Sequence, residues 1–362
     1  MKRYSVSETQ LDGNEERYVL DCLRNNRLSM GEYVRRFEEQ FAVFSGTAYA
    51  VSCMNGTAAL HLAMLAMNVQ PGDEVIVPAL TYVASANAVT YCGGTPVFCD
   101  VDPNTWCIDT TNLQITNRTV GILPVHLYGH PAAMNPIREI ALEQNLWIIE
   151  DAAEAHGALY RQQIVGGIGD AGIFSFYGNK VMTSGEGGML VTDNAAIAKL
   201  AILYRGQGVD TSIHRYHHSV IGYNYRMTDL QAAVGLAQLE RVQHKTCMRR
   251  MVAAQYRQRF IDTGICTQKT APDVVSANWM FTILAPPSVD RDRLMKMLEQ
   301  RKIETRPAFR CMHHLPIYQS TERHPVAENI SARGINLPTH AGLSREDVDY
   351  IADNVLECLE EI

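Results

Sequence analysis

Residues 173–190 read Ile-Phe-Ser-Phe-Tyr-Gly-Asn-Lys-Val-Met-Thr-Ser-Gly-Glu-Gly-Gly-Met-Leu. The apolar and aromatic run at 173–177 predicts a buried strand, and Lys180 follows it before a glycine-rich turn at 185–188. Lysine is rarely buried without a chemical reason, and a desolvated amine loses its proton more easily and can attack a carbonyl group. Taken alone, however, this stretch favours a simpler interpretation, a surface lysine in a β-hairpin.

A second stretch, residues 146–157, reads Leu-Trp-Ile-Ile-Glu-Asp-Ala-Ala-Glu-Ala-His-Gly. Its four apolar residues predict a short buried strand, and Asp151 lies where that strand ends. Open α/β sheets place ligand groups at the carboxyl ends of their strands. An acid there and a lysine on a later strand are the minimal set of a pyridoxal phosphate enzyme, in which the lysine holds the cofactor as an imine and the acid keeps the ring nitrogen protonated. A helix N-cap also explains Asp151, and the two roles are compatible.

The composition limits the classes of function. The chain has 362 residues, of which 20% are charged and 46% hydrophobic, an ordinary globular balance with room for two domains. A net charge of -7 without a basic block argues against nucleic acid as a partner. No stretch resembles a signal peptide or a membrane span, so we expect no membrane contact and a cytoplasmic location. Nine scattered cysteines without a Cys-x-x-Cys pair indicate reduced thiols, and we expect no metal.

Strand-like and helix-like segments alternate along the first part of the chain, which predicts an α/β fold with a mainly parallel sheet. A strand at 49–54 runs into Asn55-Gly56-Thr57 and then a helix at 58–67. The free backbone N–H groups of such a turn suit a phosphate, although the signal is weak alone. Tyr82, near the start of the next predicted helix, is placed to lie on a planar ring, but an aromatic residue there is more often part of the core.

The pattern changes after residue 245. We predict a large domain at 1–245 and a smaller α+β domain at 246–362. One motif is misleading: residues 167–172 match the dinucleotide fingerprint Gly-x-Gly-x-x-Gly. A polar stretch precedes this motif and a strand follows it, whereas the fingerprint needs a strand before and a helix after, so we reject nicotinamide binding.

Residues 206–225 form a long predicted loop, rich in histidine and aromatic residues, before a long predicted helix at 227–251. Loops of this length are usually functional or disordered, and the aromatic content argues against disorder. The spacing of its histidines, at 214, 217 and 218, matches no standard metal site. Asn224 suits a phosphate oxygen, and Arg226 suits a carboxylate or a diphosphate. Because closed twofold dimers are the commonest oligomers, we expect a homodimer in which each loop enters the partner's cleft.

Several specific motifs resemble those of the sugar aminotransferases in the fold-type-I pyridoxal phosphate superfamily, the DegT/DnrJ/EryC1/StrS group. The resemblance runs from about residue 10 to 360, and its motifs lie at 55–60, 72–78, 150–157, 175–180 and 185–188. It implies an aspartate-aminotransferase-like large domain, with a mainly parallel sheet flanked by helices, and a smaller C-terminal domain. It also implies pyridoxal 5'-phosphate as cofactor, with glutamate and a nucleotide sugar as substrates.

The resemblance implies a role for each candidate residue. Lys180 binds the cofactor covalently and moves a proton between cofactor and substrate. Asp151 pairs with the ring nitrogen, Tyr82 stacks on the ring, and Glu154 stands where most relatives carry glutamine. The phosphate is held by Gly56, Thr57 and Ser175, and by Asn224 of the other subunit. The candidate substrate-binding residues are Arg226, Arg306 and His340.

A narrower set of motifs, at 178–180, 206–208, 222–228, 235–240 and 336–343, is similar to that of the members that aminate GDP-4-keto-6-deoxymannose at C4. The alternative is another keto-sugar, linked to UDP or dTDP or aminated at C3. Arg310-Cys311 and Ser29-Met30-Gly31 depart from the usual pattern of the group. A dehydratase of the same group would carry histidine in place of Lys180, and a non-catalytic regulator would usually carry a DNA-binding segment, so neither is favoured.

Overall fold

The computed structural model describes residues 2–362. Its helices are α1 Glu15–Arg24, α2 Glu32–Ser45, α3 Gly56–Ala66, α4 Ala84–Tyr91, α5 Met134–Gln144, α6 Ala195–Arg205, α7 Asp229–Glu240, α8 Val242–Arg259, α9 Arg291–Gln300, α10 Pro325–Arg333 and α11 Arg345–Glu360. Its strands are β1 Tyr49–Cys53, β2 Glu74–Pro78, β3 Thr95–Cys99, β4 Thr119–Ile122, β5 Trp147–Asp151, β6 Leu159–Tyr160, β7 Gln163–Ile164, β8 Ala171–Ser175, β9 Gly188–Thr192, β10 Cys266–Thr267, β11 Val274–Val275, β12 Phe281–Leu284, β13 Arg306–Pro307 and β14 Gly334–Leu337.

A seven-stranded sheet in the order β1-β9-β8-β5-β4-β2-β3 organises the first part of the chain. All neighbouring pairs from β8 to β3 are parallel, and only β9 runs against the others. The inner strands are apolar on both faces because helices cover the sheet. The predicted α/β class with a mainly parallel sheet is therefore confirmed.

The last third of the chain builds a four-stranded sheet in the order β10-β12-β14-β13, whose neighbouring pairs are antiparallel. A second hydrophobic core lies here, centred on residues such as Tyr256, Phe281 and Ile351. The N-terminal segment joins this core, since Tyr4 pairs with Ile303 and packs into it. The domain boundary at 245/246 stays a prediction, and helix α8 spans it.

The misleading glycine motif at 167–172 wraps a buried carboxylate. Backbone N–H groups of Gly166, Ile168 and Gly169 donate to the Glu150 carboxylate at 2.8, 2.6 and 2.7 Å. His126 Nδ1 accepts from the backbone N–H of Ala132, so its Nε2 carries the proton and donates to Glu150 at 3.0 Å. The N–H groups of this turn therefore bind a carboxylate of the same chain, so they are not available to bind a pyrophosphate.

The prediction of one continuous helix at 227–251 is wrong, because the structure has two helices there. The helical segment is interrupted at Arg241, where φ is -110° and ψ is 0°, so α7 and α8 are separate helices. The break lets α7 pack on α1 and α2 while α8 packs on α11. A capping box of Thr228 and Gln231 fixes the start of α7. Within residues 2–362, none of the helices combines the length and apolar character that a bilayer crossing requires.

We predict that Glu150→Ala lowers the free energy of unfolding by about 3 kcal/mol or more, because it leaves buried N–H donors without an acceptor. Urea unfolding measures the change. Glu139→Ala is the matched control, since Glu139 lies exposed on α5. A loss for Glu150→Ala no larger than that of the control would contradict the structural role of this carboxylate.

Candidate active site

A cavity of about 420 Å³ lies at the carboxyl ends of the parallel strands. Asp151 ends β5 and Ser175 ends β8, while the start of α3 and the residues after β2 complete the walls. Seven of the eight predicted cofactor residues line this one cavity: Gly56, Thr57, Tyr82, Asp151, Glu154, Ser175 and Lys180. The convergence follows from topology, since parallel strands end at the same edge of a sheet.

Lys180 lies in the connection between β8 and β9, which pair antiparallel. The hairpin interpretation is thus right about the connection, but the side chain points inward and is only 12% exposed. Its Nζ lies 3.7 Å from Glu154 Oε1 and 4.0 Å from the centroid of the Trp279 ring. Burial lowers the pKa of Lys180, and the carboxylates of Glu154 and Asp151 only partly oppose this effect. The amine is therefore suited to attack a carbonyl group.

Backbone contacts from distant segments fix the position of this lysine. The indole N–H of Trp279 donates to the carbonyl of Asn179 at 2.8 Å. The hydroxyls of Ser7 and Thr9 donate to the carbonyls of Asn179 and Gly178 at 3.1 and 2.8 Å. The turn that carries Lys180 is therefore held by the N-terminal segment and by the segment before β12.

Asp151 is buried beneath the cavity, and its carboxylate has two donors. Ser85 Oγ donates at 2.7 Å to Oδ2, and the backbone N–H of Ala153 donates at 3.1 Å to Oδ1. Burial raises the pKa of Asp151, while these two bonds and the charge of Lys180 oppose the rise. A cation placed against the Asp151 carboxylate from the cavity would stabilise its ionised form further.

Glu154 faces the same cavity from the other side of Lys180. Its Oε2 accepts the backbone N–H of Tyr128 at 2.8 Å. Burial raises the pKa of Glu154 to about 7, against the opposing charge of Lys180. Near neutral pH this group can therefore either accept or donate a hydrogen bond.

The start of α3 offers donors to an anion. Asn55 caps the helix by accepting the N–H of Ala58 at 2.8 Å, which leaves the N–H groups of Gly56 and Thr57 without an intrahelical acceptor. A Cβ at Gly56 would come within 2.8 Å of Ser175 Cβ, so only glycine lets the helix start approach this strand end. Backbone donors, the helix dipole and the Ser175 hydroxyl together suit a phosphate.

Taken together, these groups fit pyridoxal phosphate. The cavity brings together an amine for the aldehyde, a carboxylate for the ring nitrogen and a set of donors for the phosphate. Tyr82, 58% exposed at the rim, supplies an aromatic face. The fit rests on Asp151 in particular, because its buried carboxylate has only neutral hydrogen-bond donors and favours a cationic partner.

Sequence reasoning missed four residues of this site. Trp279 and Phe309 line the cavity, Ser85 holds Asp151, and Tyr128 stacks on Phe309 with ring centroids 5.4 Å apart. Ser85 lies one helical turn beyond Thr81, and its hydroxyl bonds to that of Thr81, so a search for polar residues on the first turns of α4 could have found it. Trp279 and Phe309 come from distant segments, and no local pattern indicates them.

Four predicted residues lie outside this cavity. Asn224 and Arg226 are exposed, with the Asn224 backbone paired to Gly206. Arg306 is half-buried and forms an ion pair with Glu304 at 3.2 Å. His340 is buried, with Nε2 3.7 Å from Glu8, and burial lowers its pKa. Their roles stay predictions.

The comparisons with known proteins agree over nearly the whole chain. The sequence profile of the "DegT/DnrJ/EryC1/StrS aminotransferase family" matches residues 9–356. A GDP-perosamine synthase from Caulobacter vibrioides is 47% identical, over 97% of both chains. A GDP-perosamine synthase from Escherichia coli O157:H7 is 44% identical, over 99% of both chains. The solved PLP form of a putative sugar aminotransferase from Streptococcus pneumoniae superposes with a TM-score of 0.94 at 27% identity, over 99% of both chains.

We predict that pyridoxal phosphate followed by borohydride labels Lys180 in the cofactor-free protein and does not label Lys245. Lys245 is a matched control because it is also buried with a lowered pKa, but its Nζ donates to the Gln10 carbonyl and to Gln238 Oε1, both at 2.7 Å. Peptide mass spectrometry locates the label. A label on another lysine, or one that persists in Lys180→Ala, would show that the assignment is wrong.

The pH dependence of this labelling gives a second measurement. The reacting species is the neutral amine, so the rate should rise with pH as Lys180 loses its proton. The charge of Glu154 raises the Lys180 pKa, so Glu154→Gln should move the midpoint to lower pH, by about one unit or more. An unchanged midpoint would mean that the two groups are not coupled.

Proposed function

Because the chain belongs to the DegT/DnrJ/EryC1/StrS aminotransferase family, we propose that it transfers an amino group from glutamate to C4 of GDP-4-keto-6-deoxymannose and forms GDP-perosamine. The observation that carries the choice of substrate is the 47% and 44% identity, over essentially the full length, to two proteins named GDP-perosamine synthase. The predicted class of enzyme, an aminotransferase that uses pyridoxal phosphate, is confirmed by the family.

Different residues around the cavity are suited to bind different parts of pyridoxal phosphate. When bound, pyridoxal phosphate supplies the electron sink for the carbon that gains or loses the amino group. Gly56, Thr57 and Ser175 would hold its phosphate, and Asp151 would hold its ring nitrogen in the protonated form. The Ser85 hydroxyl keeps Asp151 oriented toward the cavity. Tyr82 would cover one face of the ring.

Lys180 is the group placed to move protons. Its amine can take a proton from the substrate carbon and return it, because burial lowers the pKa of Lys180 and so favours the neutral amine. The site between Glu154 and Trp279 would accommodate the Lys180 amine while it is not bound to the cofactor. Glu154 lies close enough to exchange a hydrogen bond with Lys180 as the charge of the amine changes.

The second half of the proposal concerns a partner subunit. Asn224 and Arg226 do not line the cavity of their own chain. The carbonyl of the residue between them, Tyr225, accepts the N–H of Met54 at 2.8 Å, and Met54 directly precedes the phosphate turn at 55–57. The exposure of the Asn224 and Arg226 side chains, outside their own cavity, supports a homodimer in which Asn224 of one chain reaches the phosphate site of the other. Arg226, Arg306 and His340 remain the proposed contacts of the nucleotide sugar.

The substrate is tested with glutamate and a panel of keto-sugars linked to GDP, dTDP and UDP. We expect turnover of GDP-4-keto-6-deoxymannose to exceed that of the dTDP- and UDP-linked sugars by at least about tenfold, because a pocket with hydrogen-bonding groups for guanine rejects bases that leave them unpaired. Mass spectrometry and NMR identify the product and the aminated carbon. Preference for a UDP- or dTDP-linked sugar would exclude the GDP-perosamine assignment and leave the aminotransferase class intact.

Shared active sites are tested by mixing two inactive variants, Lys180→Ala and Asn224→Asp. A mixed dimer has one site with both lesions and one intact site, so activity should return to roughly a quarter of the parental value after random exchange of subunits. The rate of amino transfer after re-association measures the recovery.

The control mixture combines Lys180→Ala with Asp151→Asn. Both residues line the cavity of the same chain, so every site in a mixed dimer keeps one lesion and no activity should return. Recovery in the control, or none in the test mixture despite proven exchange, would rule out the proposed contribution of Asn224 to the partner's site.

A further inference from the structure

A cluster of histidines lies outside the cofactor cavity, where the segment after Phe309 meets helix α10. Metal-binding atoms of His313, His314 and Glu328 all lie within 4.8 Å of one another. The ring of His324 meets that of His313 edge to face, with ring centroids 4.7 Å apart, and the ring centroids of His313 and His314 are 4.2 Å apart. None of these residues lines the cavity that holds Lys180.

The hydrogen bonding of the cluster is incomplete. His313 and His324 are 1% and 7% exposed, yet His313 Nδ1 and His324 Nε2 have no hydrogen-bond partner among residues 2–362. A buried polar atom without a partner is destabilising. His313 turns its other ring nitrogen, Nε2, toward the Glu328 carboxylate, so this atom and the carboxylate form the face of the cluster that can accept an ion.

The distances fit a small metal ion. His313 Nε2 and Glu328 Oε1 are 3.2 Å apart. Two ligands of a tetrahedral zinc ion, each with a bond of about 2.1 Å, are separated by about 3.4 Å. An ion could therefore replace the proton between these two atoms with little movement, and the exposed His314 side chain is free to rotate toward it.

We propose that His313, His314 and Glu328 bind a divalent first-row transition-metal ion, with Zn²⁺ as the preferred occupant. Imidazole and carboxylate ligands suit Zn²⁺, and three protein ligands leave the fourth position to water. The ion would tie the segment at 311–324 to helix α10. That segment also contacts the edge of the cofactor site, since the N–H of Met312 donates to the carbonyl of Ala79 at 2.8 Å.

One cation competes with the ion for Glu328. Arg323 Nη2 lies 2.7 Å from Glu328 Oε2, and its Nε lies 2.9 Å from Oε1. The Arg323 side chain is 75% exposed, so it can leave the carboxylate at small cost. This competition predicts that two exposed positions, His314 and Arg323, affect the affinity for Zn²⁺ in opposite directions.

The test titrates Zn²⁺ into the holoenzyme in phosphate-free buffer, with a chromogenic zinc indicator as competitor. We expect one ion per chain, with an affinity that falls about tenfold or more in His314→Ala and rises several-fold in Arg323→Gln. His217→Ala, in the exposed loop, is the matched control and should not change the affinity.

No zinc binding, equal affinities in the parent and His314→Ala, or a loss of binding in the control would overturn the proposal. Both test positions are exposed, so misfolding does not confuse the result. A thermal shift gives an independent readout, because Zn²⁺ should raise the unfolding temperature of the parent more than that of His314→Ala.

Discussion

Strand β5 ends in two adjacent buried carboxylates, Glu150 and Asp151. The candidate site depends on the difference between the hydrogen bonds that these two groups receive. Successive side chains of a strand point to opposite faces, so the two groups meet different surroundings. Glu150 receives three backbone N–H groups and the proton of His126. Asp151 receives only Ser85 and Ala153. The hydrogen bonds of the Glu150 carboxylate are therefore all supplied by the fold, whereas the Asp151 carboxylate can still bind a positively charged group in the cavity.

A similar contrast separates the two buried lysines. Lys245 is enclosed by the carbonyl of Gln10 and the side chain of Gln238, which occupy its ammonium group. Lys180 has one carboxylate at 3.7 Å and an aromatic face, and it opens onto a cavity of about 420 Å³. Burial lowers the pKa of both amines, so a lowered pKa alone does not distinguish a reactive lysine. What distinguishes Lys180 is access to a ligand together with incomplete hydrogen bonding.

The sequence was informative wherever the site is built from strand ends. An apolar run that ends in a polar residue or glycine indicates the carboxyl end of a strand, and parallel strands bring these ends to one edge of the sheet. This pattern identified Lys180, Asp151 and the Gly56-Thr57 turn. Trp279 and Phe309 could not be found in this way, since they reach the cavity through the packing of the second sheet. The break at Arg241 was missed because no glycine or proline marks it in the sequence. His313 and His324 are eleven residues apart with no standard spacing, so only the folded chain reveals their contact.

The pairing of Tyr4 with Ile303 has a consequence for the synthesis of the chain. The N–H of Tyr4 donates to the carbonyl of Lys302, and the carbonyl of Tyr4 accepts the N–H of Glu304, so the first residues made are held by residues of the last part of the chain. At a ribosomal rate of 5–20 residues per second, the segment around Ser7 and Thr9 waits roughly 15–60 s for its anchor. The same segment holds the turn of Lys180. The turn that carries Lys180 thus gains this support only after residues 302–304 of the 362-residue chain have been made.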